Sequence, residues 1–444
     1  MTFKTQWMRI AGLACLLLLS IFVQAQTASL RGTVADSTGA IVPNAKVTVL
    51  NTSTNASRSV DSNESGVYSI TNLPVGMYTI KVEKQGFAPT EFTMVELTVG
   101  QIRTIDVKFA VNAAAETVNV VGDAAPTIEL ETSQISNVVD SKKMNELPLL
   151  TRNPYELILL SPGTMQSNSS LGGFSANGSR ERNNNFLLDG VDNNDTSVPG
   201  IPGGLISLNP DATQEFRVIT NTFMPEYGRN TGAVVDIVTK SGTNRFKGDA
   251  YWFGRYSALG ARDFFNHLDN DSKNPYVRNQ FGFSVGGPIR KDKTFFFFNN
   301  EYQIFHTTLS STAEVPTDAY RTGVFTITDD AGNPYNINLA DPNSANNVQG
   351  LSLDPTIQGV LAKYPTPNAG SVDSLRGLYR FSQKSMTDTA NVTLKIDHRF
   401  SDSQVGNIRY AYNRFKDPNP GFDAFLPGYG ATGTGEVAPI SSGY

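Results

Sequence analysis

The part of the chain after residue 246 contains long stretches in which apolar and polar side chains alternate. In TANVTLKIDHRF, residues 389–400, apolar side chains at 392, 394 and 396 alternate with polar or charged ones at 393, 395 and 397. A second stretch, VGNIRYAYNRF at 405–415, follows the same rule. A period of two is that of a β-strand, because successive side chains point to opposite faces of a sheet. The region is therefore predicted to form antiparallel strands with one apolar and one polar face.

The charges on the polar face indicate which face can meet lipid. A Lys or Arg on the lipid face costs roughly 2 to 4 kcal/mol at the bilayer midplane of a transmembrane barrel. Lys395, Asp397 and Arg409 are therefore predicted to face an aqueous lumen, and the apolar residues between them are predicted to face lipid.

The stretch KTFFFFNNEYQIF at residues 293–305 divides in the same way. One face carries mainly apolar side chains and suits lipid: Phe296, Phe298, Tyr302 and Ile304. The opposite face carries polar side chains predicted to line the lumen: Asn299, Glu301 and Gln303. A strand of a soluble β-sandwich with Phe in its core also explains this alternation, so both interpretations stay open for this stretch alone.

Connection lengths favour the membrane interpretation. The connections at 287–294 and 401–403 are short, whereas those at 257–277 and 307–388 are long and rich in turn-forming residues. Outer-membrane barrels are built with short periplasmic turns and long external loops. We count about five strands in residues 243–444, fewer than the eight that a single-chain bacterial barrel needs, and open sheet edges cannot face lipid. The chain is therefore expected to be the N-terminal fragment of a larger barrel protein.

The first 25 residues have the character of an export signal. Lys4 and Arg9 precede an apolar run at 10–23, and small residues follow at the expected cleavage site. A transmembrane anchor is the alternative, but a run of about 14 residues is shorter than the roughly 20 that a spanning helix needs. Cys15, the only cysteine, lies in this segment, so no disulfide framework is expected in the exported chain.

Residues 26–111 contain short alternating runs separated by turn residues, which predicts a small β-sandwich. The block G-x-Y-x-I-x-N-L-P-x-G-x-Y-x-I runs from Gly66 to Ile80, and Gly86-Phe87 follows it. This block resembles the carboxypeptidase regulatory-like domain, which has a carbohydrate-binding-like fold. The resemblance implies a non-catalytic accessory domain, and sugar binding would follow only from analogy of fold.

Residues 112–242 have mixed α and β character and are rich in Gly, Ser and Asn. A strand ends in Asp189-Gly190-Val191, Gly228 and Gly232 follow, and then comes VVDIVTKSG at 234–242. These motifs resemble the plug domain of TonB-dependent outer-membrane receptors, and the order sandwich, plug, barrel resembles their Oar-like branch. The predicted fold is mostly β: a sandwich, an α+β plug, and the first strands of an antiparallel transmembrane barrel.

The resemblance implies a location in the cell outer membrane and a TonB-type energy-transducing protein of the inner membrane as partner. A segment similar to a TonB box, which pairs with that partner by strand addition, runs from residue 116 to 122. Its candidate residues are Glu116, Thr117, Val118, Asn119 and Val120. The alternative is that this segment continues the last strand of the sandwich or only links two domains.

Known catalytic signatures are not found. His267, His306 and His398 are far apart in sequence, and the acidic clusters at 189–195 and 269–271 lack the Gly and Glu positions of an EF-hand. We therefore expect no enzyme, no cofactor and no metal site. The net charge of −5 does not suggest nucleic acid as a partner.

The expected function is import of an iron chelate, an oligosaccharide or a peptide by energised movement of the plug. The alternative is a cell-surface binding or adhesion protein built of β-sandwiches, without transport.

Overall fold

The structure is a computed structural model of the 444-residue chain. It describes residues 27–109, 118–121, 132–167, 173–196, 203–228, 230–262, 264–268, 273, 275–347, 349–350, 352–402 and 404–416. The predicted export signal lies outside these residues. The chain divides into two compact units: the first comprises 1–250, 282–301 and 391–413, and the second comprises 251–281, 302–390 and 414–444.

The N-terminal part of the first unit is a sandwich of two sheets. Its strands are β1 (Thr27–Asp36), β2 (Lys46–Asn51), β3 (Ser57–Asp61), β4 (Val67–Pro74), β5 (Gly76–Glu83), β6 (Thr90–Leu97), β7 (Ile102–Thr104), β8 (Val107–Phe109) and β9 (Val118–Val121). One sheet joins β4, β1 and β7, with β8 also paired to β1, and the other has the order β3-β2-β5-β6-β9.

The sandwich core follows from the alternation seen in the sequence. In β1 and β5 every second side chain is buried, which places Leu30, Val34 and Ile80 between the sheets at 0% exposure. Tyr68 and Tyr78 are also buried, and each satisfies its hydroxyl by donating to a backbone carbonyl, of Ile105 and Pro74 respectively. This core is closed by apolar packing and needs no disulfide.

Strand β9 is the last strand of the second sheet. Its backbone pairs in parallel with β6, from Thr90 opposite Val118 to Thr93 opposite Val121. Within the described residues no strand pairs with its other edge. The candidate TonB box residues Val118, Asn119 and Val120 therefore lie on an edge strand of the sandwich, while Glu116 and Thr117 lie outside the described residues.

The plug region follows in the same unit. Its strands are β10 (Ile135–Asp140), β11 (Thr164–Gln166), β12 (Phe174–Ala176), β13 (Asn185–Leu188), β14 (Val191–Asp192), β15 (Thr213–Asn221) and β16 (Val234–Thr239). Its helices are α1 (Ser141–Glu146) and three 3-10 helices at Pro154–Leu160, Glu181–Asn183 and Pro225–Tyr227. Asp140 caps α1 by accepting from the Lys143 N–H, and Asn153 caps the next helix by accepting from the Tyr155 N–H.

One mixed sheet forms the centre of the plug, in the order β10-β15-β16-β13-β14. Strand β16 is buried along its whole length, because it lies between β15 and β13 and is covered on both faces. Phe216, Val218, Val235 and Ile237 contribute to its apolar core. The sheet brings Arg217 of β15 directly opposite Asp236 of β16.

Five strands form the sheet predicted as part of a barrel, in the sequential order β17-β18-β19-β22-β23. They are β17 (Lys247–Tyr256), β18 (Tyr276–Arg290), β19 (Thr294–Pro316), β22 (Arg376–Arg399) and β23 (Val405–Lys416). Over the described residues the sheet is open, with β17 and β23 at its ends. The expectation of a mostly β chain is confirmed.

The described residues include no helix with the length and apolar character of a membrane span.

The second unit holds the elements between the long strands. They are α2 (Phe264–Leu268), α3 (Asp318–Arg321), the hairpin β20 (Val324–Thr328) and β21 (Pro334–Asn338), and α4 (Pro355–Leu361). We expected the connection after β19 to run from about 307 to 388, but β19 ends at Pro316 and β22 begins at Arg376. These two strands have 23 and 24 residues, about twice the 9 to 11 that cross a bilayer. These strands continue beyond the residues whose side chains alternate, so the sequence pattern alone underestimates the strand length.

Candidate functional site

Asp189 of the plug is held between two cations from the polar face of the barrel strands. Its Oδ2 accepts from Arg409 Nη1 at 2.8 Å, and its Oδ1 lies 3.7 Å from Lys395 Nζ. Thr239 adds its backbone N–H to Oδ1 at 2.9 Å and its hydroxyl to Oδ2 at 2.6 Å. Both carboxylate oxygens are therefore satisfied, and the predicted lumen-facing Lys395 and Arg409 meet the predicted plug motif.

The local backbone explains how Asp189 reaches this position. Asp189 and Gly190 form the turn between β13 and β14, with φ of +48° and +77°. Asp tolerates the left-handed region better than most residues, and Gly adopts it without steric cost. The Asp189 N–H donates to the Ile237 carbonyl at 2.8 Å, which fixes the turn against the central strand.

Burial makes this ion cluster important for stability. Lys395 is 5% exposed and Asp189 is 7% exposed, so neither charge is fully hydrated in this arrangement. Removing one partner of a buried ion pair typically costs about 3 to 5 kcal/mol, because the remaining charge stays uncompensated. Lys395 also donates to the Thr239 carbonyl at 3.3 Å, and thus contacts the plug twice.

A second polar contact joins the plug to β19. Arg152 binds Asp211 within the plug, and its Nε lies 3.7 Å from Glu301 Oε2. Asn209 Nδ2 donates to Asn299 Oδ1 at 2.9 Å. Asn299 and Glu301 are both buried, so these two predicted lumen-facing residues lie against the plug.

Phe297 was not among the residues predicted to contact the plug, yet it belongs to the plug core. It is 4% exposed and packs in the same cluster as Phe216 and Ile237. Phe295 and Phe297 share the face of Asn299, so the lumen face of this strand begins apolar and continues polar. The sequence indicated this apolar segment of the lumen face, because in a strand two of the four consecutive phenylalanines must point to the lumen side.

The other residues predicted from the sequence are Gln303, Asp397, Gly228 and Gly232. Gln303 accepts from Gln280 Nε2 at 2.8 Å on the neighbouring strand, and Asp397 is half-buried on the strand of Lys395. Gly228 ends the 3-10 helix at Pro225–Tyr227. Gly232 lies so close to Asn184 that a Cβ would come within 2.4 Å of its Oδ1, so only glycine fits there.

The opposite face of the barrel strands, predicted to face lipid, carries exposed apolar side chains. Its exposed side chains include Phe281, Phe283, Tyr302, Leu394, Ile396, Ile408, Tyr410 and Tyr412. Neighbouring strands pair these side chains across the sheet, with Phe283 and Phe298 ring centroids 5.6 Å apart. An exposed face of this composition suits contact with lipid.

Two buried acids of the plug were not singled out from the sequence. Burial raises the pKa of Glu215 to about 7, against the opposing effect of the Val99 N–H that it accepts. Burial, and then the nearby Asp189 carboxylate, raises the pKa of Asp236 well above its usual range, while Arg217 acts in the opposite direction. Glu215 lies two residues from Arg217 on β15, and the register between β15 and β16 places Asp236 opposite Arg217. Asp236 lies within the stretch at 234–242, but nothing in that motif indicates its pairing with Arg217.

The histidines do not form a site. His398 Nδ1 lies 2.9 Å from the Thr294 hydroxyl, and His306 lies 3.5 Å from Asp388. Among the described residues, no three side chains of His, Cys, Asp or Glu are grouped as metal ligands. The acidic cluster at 269–271 lies outside the described residues.

Two domain families match the chain. Residues 29–110 match the carboxypeptidase regulatory-like domain, and residues 238–441 match an outer membrane beta barrel domain. The barrel match supports a location in the outer membrane.

Among characterised proteins, the chain is similar to the TonB-dependent transporter Oar of Myxococcus xanthus, with 31% identity over 289 residues. That match covers 62% of this chain and 26% of the transporter. The chain therefore spans about a quarter of the length of this relative.

Solved structures of outer-membrane proteins share partial likeness with the chain. The outer membrane transporter YddB from Escherichia coli is 14% identical, with a TM-score of 0.39, over 64% of this chain and 33% of that one. The siderophore receptor PirA from Acinetobacter baumannii is 15% identical, with a TM-score of 0.31, over 63% of this chain and 43% of that one. Superpositions with such scores do not define the fold by themselves.

The resemblance predicted from the sequence motifs is confirmed by the domain matches and by the similarity to Oar. This chain matches a carboxypeptidase regulatory-like domain followed by an outer membrane beta barrel domain, and it is similar to the TonB-dependent transporter Oar.

Proposed function

We propose that the chain belongs to a transporter that imports a ligand across the outer membrane, driven by a TonB-type protein of the inner membrane. The ligand classes that fit this proposal are an iron chelate, an oligosaccharide or a peptide. Ligand would bind on the external side, and a pull on the plug from the periplasm would open the lumen.

The observation that supports this proposal most is the polar character of the contact between plug and strands. Asp189 meets Lys395 and Arg409, and Arg152 meets Glu301, through charged groups. Water can replace such partners when the plug moves, because charged groups regain hydration outside the contact. An entirely apolar contact would instead oppose separation in proportion to its buried area. Phe297 is the apolar exception at this contact.

The candidate TonB box is the segment to which the TonB-type protein would attach. Strand β9 has one edge without a partner strand among the described residues, so it has backbone groups available for strand addition. A strand of the inner-membrane protein would add there and extend the sheet β3-β2-β5-β6-β9.

Val118→Pro tests the proposal, because proline removes a backbone donor and fixes φ. In the full-length protein this variant should lose energised uptake but keep surface binding of the same ligand, since capture occurs on the other side of the membrane. Labelled ferric chelates, oligosaccharides and peptides serve as the probes. Val118→Ala keeps the backbone donor and is the matched control, which should retain most uptake.

Normal uptake by Val118→Pro would show that the box lies elsewhere. Uptake that persists in every variant after the proton gradient is collapsed would contradict energised transport itself. Surface binding without uptake of any probe would favour the adhesion protein instead.

A further inference from the structure

Val99 of the sandwich contacts the plug through both of its backbone polar groups. The Val99 N–H donates to Glu215 Oε1 at 2.5 Å, and the Val99 carbonyl accepts from Arg217 Nη1 at 3.0 Å. Glu215 and Arg217 stand two residues apart on β15, so both side chains leave the same face of the strand. All three residues are buried, at 5% exposure or less.

The loop that carries Val99 is held by hydrogen bonds within the sandwich. We call residues 98–101 the docking loop. Gln101 Oε1 accepts from the Thr98 N–H at 3.0 Å, and the Gly100 N–H donates to the Thr27 carbonyl at 3.2 Å. Gly100 has φ of +65°, and a Cβ there would come within 3.2 Å of Arg217 Nη1. The loop is therefore shaped to receive the Arg217 side chain.

The sandwich also contacts the segment before β17 and the turn between β18 and β19. The Asn244 N–H donates to the Ser53 carbonyl at 3.0 Å. Asp292 Oδ1 accepts from Asn55 of the sandwich at 3.1 Å and from Asn244 at 2.7 Å. The sandwich thus binds the plug at one place and the first barrel hairpin at another.

Strand β6 connects these contacts to the candidate TonB box. It pairs with β9 along Thr90–Thr93, ends at Leu97, and leads directly into the docking loop. A force applied to β9 therefore reaches Val99 along a single strand.

We propose that the sandwich is a periplasmic latch that holds the plug against the barrel at rest, and that energised pulling on β9 releases the docking loop from Glu215 and Arg217. This inference rests on the proposed function. Release is feasible because water can replace Val99 as the hydrogen-bonding partner of Glu215 and Arg217, and because the contacts at Asp292 are exposed and individually weak.

Engineered cysteine pairs test the latch in living cells that carry the full-length protein. Ser53→Cys with Asn244→Cys joins the sandwich to the segment before β17, at two positions whose backbones already share a hydrogen bond. Thr48→Cys with Ser59→Cys is the matched control, because these facing residues of β2 and β3 lie within the sandwich, with their hydroxyl oxygens 2.9 Å apart. Cys15 is the only cysteine in these 444 residues and lies in the predicted export signal. Any cysteine in the rest of the full-length protein is first replaced by serine, so that neither pair competes with another thiol. Assembled barrel is quantified for each variant by its mobility with and without heating.

Collapsing the proton gradient with a protonophore should raise the disulfide-linked fraction of the Ser53–Asn244 pair at least about twofold, since the docked population grows when pulling stops. The control pair should not respond, and Val118→Pro should abolish the response. An unchanged fraction in cells that still show energised uptake would overturn the latch and leave the proposed function intact. An unchanged fraction without any energised uptake would remove the proposed function and the latch together.

Uptake through the cross-linked protein gives a second measurement. Oxidation of the Ser53–Asn244 pair should block uptake, and a reductant should restore it. Uptake through the oxidised protein would overturn the latch.

Discussion

At the scale of single residues, Asp189 carries most of the charge contact between plug and strands. It was recognisable in the sequence as part of a turn motif, because Asp-Gly favours a tight turn. Its partners Arg409 and Lys395 lie more than 200 residues later. Their side of the strand was predictable from period two, but which plug residue they meet depends on tertiary packing that no local pattern records.

Asp189→Asn should lower the free energy of unfolding of the plug by more than a substitution at an exposed position. The amide keeps the size of the side chain but leaves Lys395 buried without its counter-charge, at a cost of about 3 to 5 kcal/mol. The effect is measured as the change in the free energy of unfolding of the plug. Full-length protein in detergent is denatured with urea, and hydrogen exchange reports the unfolding of the plug. Glu226→Gln is the control, because Glu226 is exposed on the same domain and should change stability by less than about 0.5 kcal/mol. Equal effects of the two variants would mean that the cluster is not a stabilising contact.

Glu215 should make plug stability depend on pH. Its pKa in the folded chain is about 7, above the ordinary value of 4.5, so the folded state keeps a proton that the unfolded chain has already lost. Stability is then greatest below about pH 4.5 and falls as pH rises through 7, by on the order of 3 kcal/mol. The charged groups that act on it are Glu96, Arg217 and Asp140.

The Glu215→Gln protein tests this pH dependence, because the amide stays neutral throughout. The same urea measurement between pH 4.5 and 8 should show a smaller fall in stability for the variant than for the native chain. The contribution of Asp236 stays in both proteins and cancels in the comparison. Identical pH profiles would exclude Glu215 as the titrating group.

At the scale of elements, alternation separated apolar from polar side chains along each strand, but it predicted the lengths of the strands poorly. The apolar residues of β22 and β23 are exposed on one face, and the polar residues include the contacts to the plug. The extensions of β19 and β22 were missed because pairing there depends on backbone hydrogen bonds, which carry no side-chain signature. The place of β9 on the sandwich was one of two alternatives, since four residues are too few to separate a strand from a linker.

Ile408→Arg and Asn407→Arg test the faces of β23 with the same charge on neighbouring residues. Ile408 is 75% exposed on the apolar face, so arginine there should cost roughly 2 to 4 kcal/mol against lipid near the midplane. Asn407 lies on the face of Arg409, where the new charge stays in water. The amount of heat-modifiable barrel in outer membranes should therefore fall for Ile408→Arg only. A fall for Asn407→Arg alone would reverse the assigned faces.

At the scale of the whole molecule, we propose that the five strands cross the outer membrane with the sandwich on the periplasmic side. The pattern of connection lengths leads us to expect the connection between β19 and β22 outside the cell. Alternating short and long connections predicted this arrangement, and the short turns at 291–293 and 400–404 agree with it. The contact of the sandwich with Asp292, in the first of these turns, places the sandwich on the same side as the short turns.

Antibody binding to epitope tags on intact cells tests this topology. Three insertion sites are exposed: Gly39 in a sandwich turn, Asn346 in the long connection, and Asp402 in the turn between β22 and β23. In the full-length protein, antibody should reach the tag at Asn346 on intact cells, and should reach those at Gly39 and Asp402 only after the outer membrane is opened. Antibody binding at Gly39 or Asp402 on intact cells, with none at Asn346, would contradict the account.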